Sequence, residues 1–244
     1  MPEVSILVPV FNRESLVSAA ITSALAQTLT DIEVIVVDNC STDNTAEVVR
    51  TVAASDPRVH FFTNDRNLGP VGNWIACAEK ATAPISKLLF SDDLIAPTYL
   101  ERLLPFLREP DCGFAYSSAC IGKNEWNGYL MYNHFGNDCR IARGSFLRMT
   151  THLEHFTPES PGAGLFRTAD LRKNILMSLP GITDHDFARD GAGVDWLVYA
   201  LTALAYPYVA CVPEPLVFFR DHPGSITIEA GGELAKAYSL AKTG

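Results

Sequence analysis

The amino-terminal part of the chain alternates between apolar runs and amphipathic segments, and this alternation is the strongest constraint on the fold. Near-continuous apolar runs are typical of strands buried on both faces of a parallel sheet. The segments between them carry apolar residues at the spacing of one helix face. The sequence therefore predicts an α/β fold with a doubly wound, mainly parallel sheet. The predicted strands are residues 4–10, 32–37, 59–62 and 84–90, and the predicted helices are residues 15–26, 44–54 and 74–80.

The rest of the chain is less regular. Residues 97–107 are predicted to form a helix in which Pro105 introduces a kink or a break. Residues 121–156 show no clean periodicity but contain many aromatic and basic side chains. Further predicted strands are residues 113–119, 208–212 and 216–219, and further predicted helices are residues 171–179 and 196–204.

Polar residues follow the predicted parallel strands. In open parallel sheets, ligands bind at the carboxyl ends of the strands, where these residues would meet. The most acidic end is Asp92-Asp93, directly after an apolar run. Because burial of two adjacent carboxylates without partners is very costly, we expect them at the rim of the sheet, where a cation can neutralise them. The other ends are Phe11-Asn12, Asp38-Asn39 and residues 64–67.

Carboxylate oxygens of this kind suit Mg²⁺ or Mn²⁺, and such ions usually accompany phosphates. The alternative is a solvated loop in which Asp93 caps the following helix. No G-x-G-x-x-G motif follows the first predicted strand, and no G-x-x-x-x-G-K-[ST] motif occurs in the chain. Those motifs mark dinucleotide-binding and P-loop proteins, so the sequence argues against both classes.

Composition excludes further classes. The formal net charge is −9, which disfavours non-specific nucleic-acid binding. The six cysteines include no C-x-x-C pair and are predicted to be reduced thiols of a cytoplasmic protein. No signal peptide is evident, and the longest apolar stretch, residues 196–212, is interrupted by Tyr206-Pro207-Tyr208. It is therefore predicted as a helix followed by a strand, not as a membrane span.

Five segments together resemble the amino-terminal half of family 2 glycosyltransferases, which have the GT-A fold. The resemblance is close over residues 4–100 and thinner to about residue 228. It implies one catalytic domain, residues 1–228, with a nucleotide-sugar-binding half (1–100), a smaller mixed acceptor-binding half (101–228) and a tail (229–244). The segments are residues 5–13 (SILVPVFNR), 23–28 (SALAQT), 33–43 (EVIVVDNCSTD), 66–73 (RNLGPVGN) and 90–93 (FSDD).

The resemblance implies the nucleotide contacts. Pro9 and Phe11 would line the pocket of the base, and Arg66 or Asn67 would help to fix the nucleotide. Asp38 would accept a hydrogen bond from N3–H of uracil or thymine, which favours UDP; guanine is disfavoured only by pocket size. The alternative interpretations are a turn or helix cap for Asp38, a core residue for Phe11 and a solvated residue for Arg66.

The resemblance also implies a metal and diphosphate site. Asp92 would contact the ribose, and Asp93 would hold the divalent metal, Mn²⁺ or Mg²⁺, against the diphosphate. The chain departs from the family's D-x-D motif because Ser91 stands at its first position, which affects the number of metal ligands. Several members carry an R-x-H-x-x-S motif near the end of the domain. Here it would place His222 near the metal, with Arg220 and Ser225 at the diphosphate.

On the acceptor side, residues 161–167 (PGAGLFR) resemble the strand that precedes the acceptor site. Gly162 and Gly164 would let a sugar approach the backbone closely. The aromatic residues of segment 121–156 are predicted with equal weight to bind acceptor sugars or to cover the sheet.

Asp195 opens a predicted helix at the place where the family keeps its general base. The resemblance implies that it deprotonates the acceptor hydroxyl. The alternatives are that Asp195 only caps the helix, or that the base is one of the neighbouring acids Asp184, Asp186 and Asp190.

The sequence thus predicts a metal-dependent inverting glycosyltransferase of polysaccharide biosynthesis. It would move a sugar from a nucleotide-sugar donor, UDP being favoured, to a glycan or lipid-linked glycan acceptor, with peripheral membrane association left open. One alternative is a nucleotidyltransferase of related fold, although its Gly- and Lys/Arg-rich first loop is absent. The other is a non-catalytic domain that binds nucleotide-sugars or glycans.

Overall fold

The amino-terminal half contains the predicted alternation of strands and helices. A computed structural model describes residues 1–152, 157–177 and 193–224. Its first elements match the predicted ones to within a few residues, except that the third helix starts earlier, at Gly69, because Pro70 fits a first helical turn. The elements are β1 (Val4–Val10), α1 (Val17–Leu25), β2 (Ile32–Asp38), α2 (Thr45–Ser55), β3 (Val59–Thr63), α3 (Gly69–Lys80) and β4 (Ile85–Leu88).

These four strands are parallel and lie in the order β3-β2-β1-β4. From β1 the chain moves to one side through β2 and β3 and then returns to the other side of β1 with β4. Because parallel crossovers are right-handed, α1 and α2 lie on one face of the sheet and α3 lies on the opposite face. The predicted doubly wound arrangement is therefore confirmed.

The carboxyl-terminal half continues the same sheet with mixed strand directions. Its order after β4 is β9-β6-β10-β5, while β7 pairs with β6 and β8 pairs with β10. β9 is antiparallel to both neighbours, so β6 and β10 run in the same direction as β4. The elements are β5 (Leu94–Ile95), α4 (Tyr99–Leu107), β6 (Cys112–Asn124), β7 (Asn127–Met131), β8 (Cys139–Ala142), α5 (Arg143–His152), a 3₁₀ turn (Pro161–Ala163), β9 (Gly164–Arg167), α6 (Thr168–Asn174), α7 (Val194–Ala205) and β10 (Tyr208–Arg220).

Several predictions for this half are wrong in extent. The two predicted strands after residue 207 form one strand, β10, whose register with β6 shifts near Pro215. The helix predicted over 171–179 is α6 and ends at Asn174. Segment 121–156 contains the strands β7 and β8 and the helix α5. The two strands form because they pair with β6 and β10, and the sequence of the segment shows no periodicity that would predict them. Helix α4 runs through Pro105, which lies in its last turn.

An aromatic cluster packs α7 and α5 onto the second half of the sheet. The ring of Phe114 in β6 lies 4.9 Å from that of Tyr199, 5.3 Å from that of Phe146 and 5.6 Å from that of Phe166, measured between centroids. All four side chains are buried, so this cluster fixes the position of α7 relative to the strands. None of the helices in the described ranges is long and apolar enough to cross a bilayer.

A buried carboxylate ties β1, β2 and the entry to β4 together. One oxygen of Glu33 accepts hydrogen bonds from the Ser5 hydroxyl at 2.5 Å, the Thr82 N–H at 2.7 Å and the Thr82 hydroxyl at 2.8 Å. Burial raises the pKa of the Glu33 carboxyl, but these hydrogen bonds outweigh burial, and the pKa lies below its usual value. The charged form therefore stabilises the folded state.

Replacement of Glu33 by Gln should lower the free energy of unfolding by about 1–2 kcal/mol at pH 7, because it removes charge-assisted hydrogen bonds. Since the folded-state pKa is depressed, this contribution is present above the unfolded pKa and is lost as the pH falls through the folded pKa. Urea unfolding at pH 7 and pH 3.5 checks this. Glu47→Gln, which alters an exposed i,i+3 pair with Arg50, should change stability by less than about 0.5 kcal/mol. An undiminished Glu33 effect at pH 3.5 would contradict the argument.

Candidate active site

Polar residues from five strands meet at one edge of the sheet. β1, β2, β3 and β4 are parallel, and β10 runs in the same direction, so their carboxyl ends share this edge. The sequence predicted the first four ends, and the structure brings the start of the R-x-H-x-x-S motif, Arg220 to His222, to the same place. Ser225 lies outside the described residues.

Asp92 is the centre of a cluster that contains an arginine and a histidine side chain. Its Oδ2 accepts a hydrogen bond from Arg13 Nε at 3.3 Å and lies 3.0 Å from His222 Nε2. Arg13 also donates to the carbonyl of Gly224 at 2.8 Å, so it ties the end of β1 to the segment after β10. The sequence analysis did not single out Arg13; its position just after the first strand was the available signal.

Asp93 is a buried carboxylate beside the first. It is 7% exposed, and its Oδ1 accepts the backbone N–H of Arg220 at 3.0 Å. The Arg220 guanidinium donates from Nε to the Asp92 carbonyl at 3.1 Å. Burial, and then the charge of Asp92, hold the pKa of Asp93 well above its usual range, against the opposing effects of Arg220 and the buried ammonium group of Lys87. The ionised Asp93 therefore lacks full compensation in the protein alone.

This donor set suits a divalent cation that arrives with a phosphate. Across the described part of the chain, no three acidic, histidine or cysteine side chains form a ready-made metal site. Mg²⁺, however, is commonly held by one or two carboxylates together with substrate phosphates. The under-compensated carboxylate of Asp93 fits that role. His222, the other predicted ligand, has its Nε2 at the Asp92 carboxylate, so it would have to exchange this partner to reach a metal.

At the end of β2, Asp38 forms a turn. Its two carboxylate oxygens lie 3.2 and 3.3 Å from the backbone nitrogen of Ser41, and the Ser41 hydroxyl also donates to Oδ1. The side chain is 2% exposed. These bonds match the alternative interpretation of Asp38 as a turn residue, and a contact with a nucleotide base would have to be added to them.

A network of four asparagine side chains holds the loop between β3 and α3. Asn39 donates to Asn67 Oδ1 at 2.8 Å and accepts from Asn64 at 3.0 Å, and Asn64 also donates to Asn73 Oδ1 at 3.0 Å. Buried Asn73 in turn donates to the carbonyl of Val37 in β2. Asn67 was the one predicted site residue among the four. The recurrence of asparagine at the predicted strand ends was the signal for the others.

The remaining predicted nucleotide contacts differ in accessibility. The ring of Phe11 is 38% exposed at the end of β1, so it is available to a ligand. Pro9 is buried within β1, opposite Val37. Arg66 is exposed and makes no hydrogen bond or ion pair with the described residues; it lines a shallow surface depression together with Glu79 and Asn67. The structure therefore brings Phe11 to the edge but leaves Arg66 outside the cluster around Asp92.

The two glycines of the 161–167 segment, which were predicted to let a sugar approach the backbone, are closely packed against the protein's own side chains. A Cβ atom at Gly164 would lie 2.6 Å from the ring of Phe166 and 2.8 Å from the hydroxyl of Tyr199. At Gly162 it would lie 3.1 to 3.2 Å from Phe219 and Phe90. The space that a side chain would need at these positions is filled by the protein's own rings.

Asp195 lies in the first turn of α7 and is 8% exposed. Its Oδ1 accepts the backbone N–H groups of Gly193 at 2.9 Å and Trp196 at 2.8 Å. These bonds and the helix N-terminus favour the ionised carboxylate. Burial raises the pKa of Tyr199, and Tyr99, Tyr132, Tyr116 and then Asp195 add smaller effects. The alternative bases Asp184, Asp186 and Asp190 lie outside the described residues.

Comparisons with known proteins point to one family. The family model described as "Glycosyl transferase family 2" matches residues 5–174. A Campylobacter jejuni protein named GalNAc(5)-diNAcBac-PP-undecaprenol beta-1,3-glucosyltransferase is 31% identical over 64% of this chain and 51% of its own length. An Escherichia coli protein named UDP-Glc:alpha-D-GlcNAc-diphosphoundecaprenol beta-1,3-glucosyltransferase WfgD is 29% identical over 57% of each chain. This chain thus spans about half the length of both relatives.

Solved structures share the fold. S. aureus TarS 1-349 in complex with UDP-GlcNAc aligns with a TM-score of 0.75 and 19% identity, over 99% of this chain and 65% of that chain. The mannosyltransferase PcManGT from Pyrobaculum calidifontis, in complex with GDP-Man and Mn²⁺, aligns with a TM-score of 0.57 and 18% identity, over 92% and 59% of the two chains. These similarities confirm the predicted GT-A fold.

The paired aspartates should respond to neutralisation in opposite directions. Asp93→Asn should raise the free energy of unfolding by about 1–2 kcal/mol at pH 7.5, because the amide still accepts the Arg220 N–H while the buried charge is removed. Since the folded-state pKa of Asp93 is raised, wild-type stability falls as the pH rises above the unfolded pKa of about 4. The gain should therefore shrink at pH 4.5, which urea unfolding at both pH values would show.

Asp92→Asn is the matched control. It weakens the contacts with Arg13 and His222 and should lower stability by about 1 kcal/mol. Destabilisation by both substitutions would contradict the assignment of Asp93 as the under-compensated charge.

Proposed function

Because this chain belongs to glycosyl transferase family 2, we propose that it transfers a sugar from a nucleoside diphosphate donor to a hydroxyl group of a saccharide acceptor. The observation that carries the proposal is the buried, under-compensated Asp93 beside Asp92 at the carboxyl end of β4. A divalent metal ion bound together with the diphosphate would supply the missing positive charge at this position.

The proposed donor is a UDP-sugar. In support, the aligned TarS structure contains UDP-GlcNAc, and the Escherichia coli relative is named for UDP-Glc. In this chain, exposed Phe11 and the Asp38 carboxylate stand at neighbouring strand ends, where a base could stack and donate its N3–H. GDP is the competitor, because the aligned mannosyltransferase contains GDP-Man.

The proposed cofactor is Mn²⁺ or Mg²⁺. Asp93 would hold it, with His222 as a second ligand once its contact with Asp92 is exchanged. A bound cation would stabilise the charge that develops on the departing diphosphate. Arg220 and Arg13 lie beside the two aspartates and would add positive charge at the same edge. The presence of Mn²⁺ in the aligned mannosyltransferase supports this assignment.

Asp195 is the proposed general base. The acceptor oxygen attacks the anomeric carbon in line with the bond to the diphosphate, and that bond breaks with its electron pair. The proton of the acceptor hydroxyl passes to the Asp195 carboxylate, and the configuration at the anomeric carbon is inverted. The position of Asp195 in the first turn of α7 favours the carboxylate form that can accept the proton.

The proposed acceptor is a glycan, free or lipid-linked. Both relatives described above are named for undecaprenol-linked substrates. The β6–β7 hairpin carries exposed Trp126 and Tyr129. An ion pair of Glu125 with Arg220 connects its tip to the donor edge, the edge of the sheet that carries Asp92 and Asp93. Aromatic side chains in that position would bind acceptor sugars against their rings. A lipid-linked acceptor would also require peripheral contact of the protein with a membrane.

Thermal unfolding with nucleotides tests the donor edge. UDP with Mn²⁺ should raise the midpoint of unfolding by several degrees, which corresponds to about 2–3 kcal/mol at a hundredfold excess over the dissociation constant. EDTA should abolish most of the rise, and ADP should have little effect because adenine has no ring N–H to donate to Asp38. Equal stabilisation by UDP and ADP would disprove the role of Asp38.

Asp195→Asn separates an enzyme from a binding domain. The variant should keep the UDP and Mn²⁺ response and lose transfer by a factor of about 10²–10⁴, because only the proton acceptor is removed. Transfer from labelled UDP-sugars to undecaprenol-linked acceptors measures this. Unchanged transfer would exclude Asp195 as the base. Nucleotide binding without transfer in the wild type would favour the non-catalytic alternative. Release of pyrophosphate from a nucleoside triphosphate supplied with a sugar 1-phosphate would favour a nucleotidyltransferase.

A further inference from the structure

Lys87 is a fully buried lysine that the proposed reaction does not use. It lies in β4, six residues before Asp93, and its side chain is 0% exposed. Lysine is almost never fully buried without a specific partner, because desolvation of the ammonium group is expensive. Burial lowers the pKa of Lys87 to about 7, and its contacts show which groups its side-chain nitrogen holds.

The ammonium group is held by the 3₁₀ turn and by α4. Nζ donates a hydrogen bond to the carbonyl of Gly162 and lies 4.4 Å from the centroid of the Tyr99 ring. The hydroxyl of Tyr99 donates to the carbonyl of Ala163, the next residue of the same turn, at 3.2 Å. Two side chains from different elements thus hold successive carbonyls of the Pro161–Ala163 turn. Both are buried, so water does not compete for these carbonyls.

The same turn is attached to the helix that carries Asp195. Tyr199 in α7 donates its hydroxyl to the carbonyl of Ser160 at 2.8 Å. Ser160 caps the 3₁₀ turn, because its side chain accepts the N–H of Gly162 at 3.2 Å. Asp195 precedes Tyr199 by four residues and therefore lies on the same side of α7. Hydrogen bonds thus connect Lys87, through the 3₁₀ turn, to Tyr199, which lies one turn beyond Asp195 in α7.

We propose that Lys87 is a positioning residue whose ammonium group fixes the Pro161–Ala163 turn against β4 and thereby presents Asp195 to the edge that carries Asp92 and Asp93. This role rests on the proposed function, since it concerns the distance between the base and the donor. The competing role is simple charge compensation of Asp93, in which the turn would be incidental. The two roles differ in which part of the molecule changes when the ammonium group is removed.

Hydrogen exchange followed by mass spectrometry on the whole chain tests the structural step without donor, metal or turnover. Lys87→Met keeps the length and the apolar stem but removes the donor. Amide exchange in residues 157–167 and 193–205 should become about five- to tenfold faster, while exchange in β1 and β2 stays unchanged. Unchanged exchange in both segments overturns the proposal, as does faster exchange across the whole sheet in a folded variant.

Two further variants complete the comparison. Lys80→Met is the matched control, because Lys80 also lies over an aromatic ring, 5.0 Å from the centroid of Phe62, but is exposed. It should leave exchange unchanged. Tyr99→Phe removes only the hydrogen bond to Ala163 and should accelerate exchange of the turn by about threefold. If Lys87→Met does not fold, Tyr99→Phe decides, and no acceleration in it overturns the proposal.

The effect of Lys87 on the position of Asp195 is tested by measuring nucleotide binding and sugar transfer in the same variant. With UDP and Mn²⁺ as the probe, Lys87→Met should keep the wild-type dissociation constant within about twofold, while transfer falls at least about tenfold, as expected for a displaced base. A weakened UDP and Mn²⁺ response with unchanged exchange would assign Lys87 to charge compensation instead. If the wild type itself shows no nucleotide response and no transfer, the proposed function fails, and the exchange result still decides whether Lys87 fixes the turn.

Discussion

Two adjacent carboxylates at the end of one strand are the constraint on which the rest of this structure depends. Asp92 and Asp93 are adjacent in the segment that follows β4, and Asp93 is buried. In a region of low dielectric constant, such a pair requires positive charge or hydrogen-bond donors close by. The chain supplies them from distant segments: Arg13 from the end of β1, Arg220 and His222 from the end of β10, and Lys87 from within β4. The sheet order brings these segments to one edge.

The negative charges of Asp92 and Asp93 are not equally compensated by neighbouring groups, and the proposed chemistry depends on this difference. Asp92 has the side chains of Arg13 and His222 as partners, whereas Asp93 accepts a backbone N–H. Burial, and then the charge of Asp92, keep the pKa of Asp93 raised. A residue that destabilises the free protein and would be satisfied by a metal-bound diphosphate is typical of a binding site that trades stability for function. The asparagine network and the buried contacts of Lys87, by contrast, are satisfied within the protein and hold the loops around the site in place.

Sequence reasoning was accurate where local patterns decide the structure. The strands and helices before residue 90 were predicted to within a few residues because each apolar run is bounded by polar turns. It was wrong where pairing decides: β10 is a single bulged strand across Pro215, and α6 ends at Asn174. Gly162 and Gly164 illustrate the same limit, since a glycine-rich stretch looks alike whether a ligand or the protein's own rings fill the space.

The sequence by itself determined the α/β class, the edge at which the site forms and the acids Asp92, Asp93 and Asp195 as its candidates. The class, the edge and the pair Asp92-Asp93 follow from the period of apolar residues and from the polar residues at strand ends, which are local properties of the chain. Asp195, by contrast, was assigned from the resemblance to family 2 glycosyltransferases. Only the tertiary structure decided which acid is buried, that Arg13 and His222 share Asp92, and that Lys87 reaches the Pro161–Ala163 turn. Burial and charge compensation depend on which distant segments the sheet order brings together, and no local pattern in the sequence contains that order.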